Sequence, residues 1–294
     1  VYCLDSLGKK DEAYGVIDEA EKSYPYNYDI IKLRASLLES EGKYEEAFLI
    51  YKKCIEDEPR NPDHHLSLAS FALEAQGLTH ALLPLALAIS INPEGQNNLH
   101  LIKRGNYISS SKPEVEKPKF DRKVFKDDFS DIDELIGNYI ALDDSYEVPG
   151  VFQIAFTKQL YLIITESEMG DGFFSKTYLK PFKEIVNESK FPALAGLICF
   201  PSNDASHAKY VKDNMETLIN VNDYIKKSLD VTSENRVAPK GLTSEKVDYL
   251  FFDDGKINGI CQYDNEQDLL IGPAIFFNRL GSVQRKGSFD KNGL

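Results

Sequence analysis

Small residues and prolines recur along the first hundred positions at one interval. Ala13, Ala47 and Ala81 stand 34 residues apart, and Pro25, Pro59 and Pro93 keep the same spacing. That period, with small residues inside and proline at the end, predicts a stack of helix pairs. Alanine lets two helices cross closely, glycine ends the first helix of a pair, and proline stops the second. No pair can bury its apolar face alone, so neighbours stack and leave a groove suited to a partner. Pro84 falls in the first turn of the last second helix on this reading, where proline is tolerated. Residues 97–108 continue as a capping helix, with Leu99, Leu101 and Ile102 covering the exposed end.

The pattern then changes. Residues 109–125 are rich in serine, proline and alternating charge, and predict an extended linker. An acidic run from Lys126 to Glu134 has no metal-loop spacing, and Ser130 or Asp131 is expected to cap a helix through Leu135. Residues 126–235 as a whole are expected to form a mixed α/β or α+β domain. Val151–Phe156 and Leu160–Thr165 read as strands joined by a turn at 157–159, and Ala193–Phe200 reads as a buried strand. Lys176–Ser189 reads as a helix. After a loop and cap at 201–204, a long amphipathic helix runs through Tyr210, Met215, Leu218 and Ile225. Beyond a polar boundary at Pro239-Lys240-Gly241, aromatic pairs, glycine turns and short strands occur twice, at 249–264 and 274–290. Asp254-Gly255 and Asn292-Gly293 are hairpin signals.

In the helical third, Ala35, Leu38, Gly42, Tyr44, Ala47, Tyr51, Cys54 and Pro59 fall where the tetratricopeptide repeat places its signature. Residues 1–108 resemble that family over three units, the first truncated; Gln76-Gly77 shifts one turn glycine by a place. The resemblance implies an α-solenoid of helix hairpins whose first helices line a concave face. That face would present Asp29, Lys32, Leu33, Ser36 and Glu39 from one unit, and Asp63, Leu66, Ser67, Ser70, Leu73 and Glu74 from the next. Family members that clamp a C-terminal carboxylate place Lys, Asn and Arg there. Only Lys32 has that chemistry here, so a chaperone-tail receptor is disfavoured. The competing expectation is that this face packs against the rest of the same chain.

The glycine-and-aromatic phrases of residues 243–294 resemble the MORN-repeat variant found in many bacterial proteins, which implies stacked antiparallel hairpins. Alternatively, these hairpins complete the sheet of the central domain. The fold class expected is therefore multidomain: helical repeats, a mixed central domain, and C-terminal β-hairpins.

Composition narrows the function. The 294 residues carry 47 acidic against 34 basic side chains, a net charge of −13, which repels nucleic acid and anionic lipid. No apolar run is long enough to span a membrane. Cys3, Cys54, Cys199 and Cys261 are widely spaced and read as buried free thiols. The opening inside a helical pattern without methionine, and the stop inside a turn pattern, lead us to expect a fragment.

Catalytic constellations are thin. Adjacent His64 and His65 diverge on a helix and do not share a metal readily. Cys199, Asp204 and His207 form a conceivable nucleophile set, weakened by the apolar setting of Cys199. Gly150-Val151-Phe152 with Tyr161-Leu162-Ile163 resembles the paired strands of GIY-YIG nucleases, but the second motif lacks its glycine and no arginine follows. Gly170-Asp171-Gly172 is a turn rather than a phosphate cradle. A non-enzymatic scaffold that docks a protein or peptide is thus expected, with no cofactor, metal or nucleic acid and no membrane insertion. The alternatives are an enzyme using the central region, with Glu166, Asp204 and His207, or an antitoxin- or immunity-type binder.

Overall fold

The computed structural model describes residues 1–110, 117–140, 146–200, 204–231, 247–264 and 269–289. It divides into two compact units, one formed by Val1–Asn61 with Ser233–Leu294 and the other by Pro62–Thr232.

The first unit opens with α1 (Tyr2–Ser6), α2 (Lys10–Ser23), α3 (Tyr28–Ser40) and α4 (Tyr44–Asp57). Asn27 starts α3, its side-chain oxygen accepting from the Asp29 and Ile30 amides. Ala13, Ile17 and Leu37 form one small core, against which Leu4, Tyr14, Ile30 and Leu33 pack. The chain returns as a four-stranded antiparallel sheet in sequential order: β1 (Val247–Phe251), β2 (Ile257–Asp264), β3 (Leu269–Phe277) and β4 (Val283–Phe289). Tyr249, Ile260 and Ile275 are cross-strand partners, so they share one face. That face joins Ile257 and Phe277 with Tyr28 and Cys54 in a second core, with Ile31 and Ile50 at its margin. The sheet therefore covers the α3–α4 pair; it does not complete a central sheet.

The second unit begins with α5 (Pro62–Glu74), α6 (Leu78–Ile91) and α7 (Asn98–Ser110). The 34-residue period is visible in the element boundaries. Helices of 14 residues start at Lys10, Tyr44 and Leu78, and helices of 13 start at Tyr28 and Pro62. Ala13, Ala47 and Ala81 are all buried. Consecutive packed helical hairpins are thus present in both units. Pro84 lies in the second turn of α6, not the first, and withholds a donor from the His80 carbonyl. Leu99 is exposed, so of the three expected end-covering residues only Ile102 is buried.

The remainder corrects the expected strands. After α8 (Ser130–Tyr139) come α9 (Ala155–Glu166), a π-turn at Ser175–Leu179, α10 (Lys180–Asn187), α11 (Phe191–Ile198), α12 (Ala205–Asp213) and α13 (Met215–Val231). Of Val151–Phe156 only Ala155 and Phe156 are helical, opening α9, which also takes in all of Leu160–Thr165; the supposed turn, Thr157-Lys158-Gln159, is a buried part of its N-terminal half. Ala193–Phe200 is mostly α11. A helix buried on nearly all sides has no polar stripe, so its sequence imitates the continuous apolar run of a buried strand. Helix α10 confirms the expected one at 176–189, whereas the long amphipathic helix breaks at Asn214. Part of the supposed linker is anchored. The Lys119 amide donates to the Glu74 carbonyl at 2.9 Å, Phe120 stacks on Phe71 at 4.6 Å, and a 3-10 turn follows at Arg122–Phe125. The Asn292-Gly293 hairpin signal lies outside the described residues.

Candidate functional site

On α3 the expected groove residues have separate fates. Asp29 is exposed and forms ion pairs with Lys32 at 3.2 Å and with Lys256 of the β1–β2 connection at 3.1 Å. Burial works against its charge, but the two lysines hold its carboxyl below the usual range. Ser36 Oγ donates back to the Lys32 carbonyl, and Glu39 accepts from the buried Tyr51 hydroxyl. Leu33 is half-buried and packs against the cluster of Ala13, Ile17 and Leu37. The face expected to receive a partner is thus in part engaged by the chain's own sheet, through Asp29.

On α5 the expected residues do share a side. Asp63, Leu66, Ser67, Ser70, Leu73 and Glu74 recur at three- and four-residue intervals and are exposed or half-buried. His65, Leu68, Ala69, Phe71 and Ala72 fill the opposite, buried side. Ser67 Oγ donates to the Asp63 carbonyl at 2.7 Å, and Glu74 pairs with Lys119 at 2.6 Å.

A second set of contacts was missed from sequence. The β1–β2 and β3–β4 connections are built alike. The Gly255 amide donates to Phe252 O and the Phe252 amide to Lys256 O; Gly281, Asn278 and Ser282 repeat this 26 residues later. Both are three-residue loops closed by a left-handed glycine, with φ of +81° at Gly255 and +76° at Gly281. A β-carbon on Gly255 would stand 2.6 Å from the Arg60 carbonyl, and one on Gly281 closer still to Tyr26 and Asn27. The two receiving loops, Tyr26-Asn27 and Arg60-Asn61, are themselves 34 residues apart. One hairpin turn therefore abuts each inter-helix loop. Asn27 Nδ2 donates to the Leu280 carbonyl at 2.9 Å, and the Ile257 amide donates to buried Glu58 at 2.7 Å. Phe277 lies 4.3 Å from the Tyr26 ring. The recurring glycines were one available signal; Asn27 and Asn61, each two residues after a repeat proline, were another.

In the second unit, carboxylates serve helix starts. Asp127 is buried and accepts from the Phe174 amide at 2.9 Å, the Ser175 amide at 3.1 Å and Ser175 Oγ at 2.7 Å. It occupies the anion-attracting helix end behind Gly170-Asp171-Gly172. Neither Ser130 nor Asp131 is the cap of α8: Phe129 stands there, and the Ser130 amide and hydroxyl donate back to Asp128. Asp133 receives the Thr79 amide and hydroxyl and pairs with Arg122 at 2.6 Å, while burial raises its pKa. His80 is fully buried among Phe125, Phe129 and Phe174, with Nε2 3.1 Å from the Asp127 carbonyl. Burial lowers its pKa to about 3, so the ring is neutral and structural.

Two of the catalytic constellations weighed from sequence take a different form in the structure. Tyr161-Leu162-Ile163 is helical, so it cannot form the second strand of a GIY-YIG pair. Cys199 is buried, and burial pushes its thiol up to about 12, leaving no thiolate near neutral pH. The Asp204 carboxylate accepts the Ser206 and His207 amides as the α12 cap, and the His207 ring lies 4.7 Å from Phe152. Cys54 and Cys261 are buried as expected, whereas Cys3 is exposed. Among the described residues, no group of three His, Cys, Asp or Glu side chains is placed to hold a metal ion. Nor is any helix there long and apolar enough to cross a membrane. Comparison with known proteins finds no matching family model, no similar curated protein and no similar solved structure.

Proposed function

We propose that this chain is a non-enzymatic scaffold or adaptor. Its helices α2–α6 are tetratricopeptide-type hairpins, its sheet is of the MORN-variant kind, and its ligand is a protein or peptide segment. The observation that carries this reading is the division of α5. Apolar and hydroxyl side chains (Leu66, Ser67, Ser70, Leu73) are only half-buried on one side while the other is buried. A partly apolar, accessible helix face fits a docked helix or extended segment better than it fits catalysis. Lys32 on α3 offers a second, smaller contact, with its side chain 15% exposed beside Asp29.

Leu66→Asp and Lys32→Glu, made singly, test the two faces separately. Partners recovered with the wild-type chain, and confirmed with purified components, are expected to bind Leu66→Asp at least about tenfold more weakly, with unchanged circular dichroism. Lys32→Glu is expected to have a smaller effect. Wild-type binding by both variants would refute the assignment of these faces.

A further inference from the structure

Helix α7 carries the opposite charge from the protein around it. Its thirteen residues, Asn98–Ser110, contain no acidic side chain, although the whole chain bears −13. Asn98, Ile102, Gly105 and Ser109 are buried, and the Phe156 amide donates to Asn106 Oδ1 at 3.3 Å, which fixes that side toward α9. The turn geometry then turns Leu99, His100, Lys103, Arg104 and Tyr107 outward together, at intervals of three and four residues. Tyr107 is 71% exposed and Leu99 40%. Lys103 and Arg104 form no ion pair with any described residue, although acids outnumber bases in the chain by 47 to 34.

Two cations without an acidic neighbour on their own helix, flanked by exposed Tyr107 and Leu99, make a mixed basic and apolar face on an acidic chain. We infer that this face docks an acidic protein segment, with Tyr107 and Leu99 receiving an apolar anchor and Lys103 and Arg104 steering its carboxylates. Nucleic acid and anionic membrane are the less fitting polyanions. Both must approach a molecule whose overall charge repels them, whereas a short acidic peptide needs only the local field. The inference rests on the scaffold reading but not on the α3 or α5 faces. Its failure would leave the Leu66→Asp and Lys32→Glu results standing, and theirs would leave it standing.

The test is fluorescence anisotropy with the full chain and a labelled synthetic helix-forming peptide. The probe carries Glu along one side and Leu and Phe at i and i+4, and a lysine-substituted twin is the control. Saturable binding is expected for the acidic probe alone. Lys103→Glu with Arg104→Glu should weaken it at least about tenfold, and Tyr107→Ala about fivefold or more. Raising salt from about 0.05 to 0.5 M should weaken it as well. All three side chains are exposed, so melting curves should match wild type. No saturable binding, equal binding by the charge-reversed chain, or stronger binding to phosphatidylserine vesicles or single-stranded DNA than to the probe would overturn the inference.

Discussion

Helices α4 and α6 occupy equivalent places in the 34-residue repeat, yet they are solved differently. Helix α4 buries Ala47, Phe48, Tyr51, Cys54 and Ile55 and leaves Glu45, Glu46, Lys53 and Glu56 in water. Helix α6 buries every residue from Thr79 to Ile91 and has no charged side chain unless His80 is counted. In the first unit, one sheet shelters one flank of the α3–α4 pair. In the second, α6 is surrounded by α5, α7, α9, α11 and α13. The same helical hairpin thus serves as a platform for a sheet in one unit and as a central rod in the other. What decides is the polarity of its second side, not the repeat signature, which both share.

The largest expected effect breaks the platform. Phe277→Ala removes a fully buried ring from between the sheet and Tyr26, and should cost about 3–5 kcal/mol in the first unit by chemical denaturation. An intermediate effect distinguishes the rod. His80 is held neutral in the fold, with a pKa of about 3 against about 6.5 when unfolded. Between those values the unfolded chain binds more protons, so stability falls as pH falls. The second unit should lose about 2 kcal/mol between pH 7 and pH 5. Hydrogen exchange of α6 amides should report this loss, and His80→Phe, which suits the surrounding phenylalanines, should abolish it. The smallest effect sits on the surface of the platform. Lys256→Ala breaks the exposed pair with Asp29 and should change the denaturation midpoint by less than about 1 kcal/mol. A larger loss would mean the sheet is held by charge rather than by its apolar face.

The repeat was legible because backbone demands fall on few residue types. Close crossings need alanine and helix ends need proline, so Ala13, Ala47, Ala81 and the three prolines mark boundaries that the helices keep. The C-terminal hairpins were legible from their glycines for the same reason. The strands expected in 151–200 were not helices to the eye, because α9 and α11 are wrapped on nearly all sides and lost the polar stripe that identifies a helix. The absence of charge in α6 did announce its burial, but it named no covering element. Of the candidate site, the α5 residues follow directly from helical spacing. The packing of half-buried Leu33 against Ala13, Ile17 and Leu37 was not legible, because the period fixes which residues share a side, not which neighbour that side meets. The receiving loops at Tyr26-Asn27 and Arg60-Asn61 share an asparagine and a preceding proline, but those residues do not say that a hairpin turn will meet them.

The central claim is that the α3–α4 pair of the first unit depends on the sheet for shelter, while the helices of the second unit shelter one another. Native-state hydrogen exchange of the Phe277→Ala chain tests it most directly. Amides of α3 and α4 should lose protection while those of α6 and α9 keep theirs; undiminished protection in α3 and α4 would contradict it.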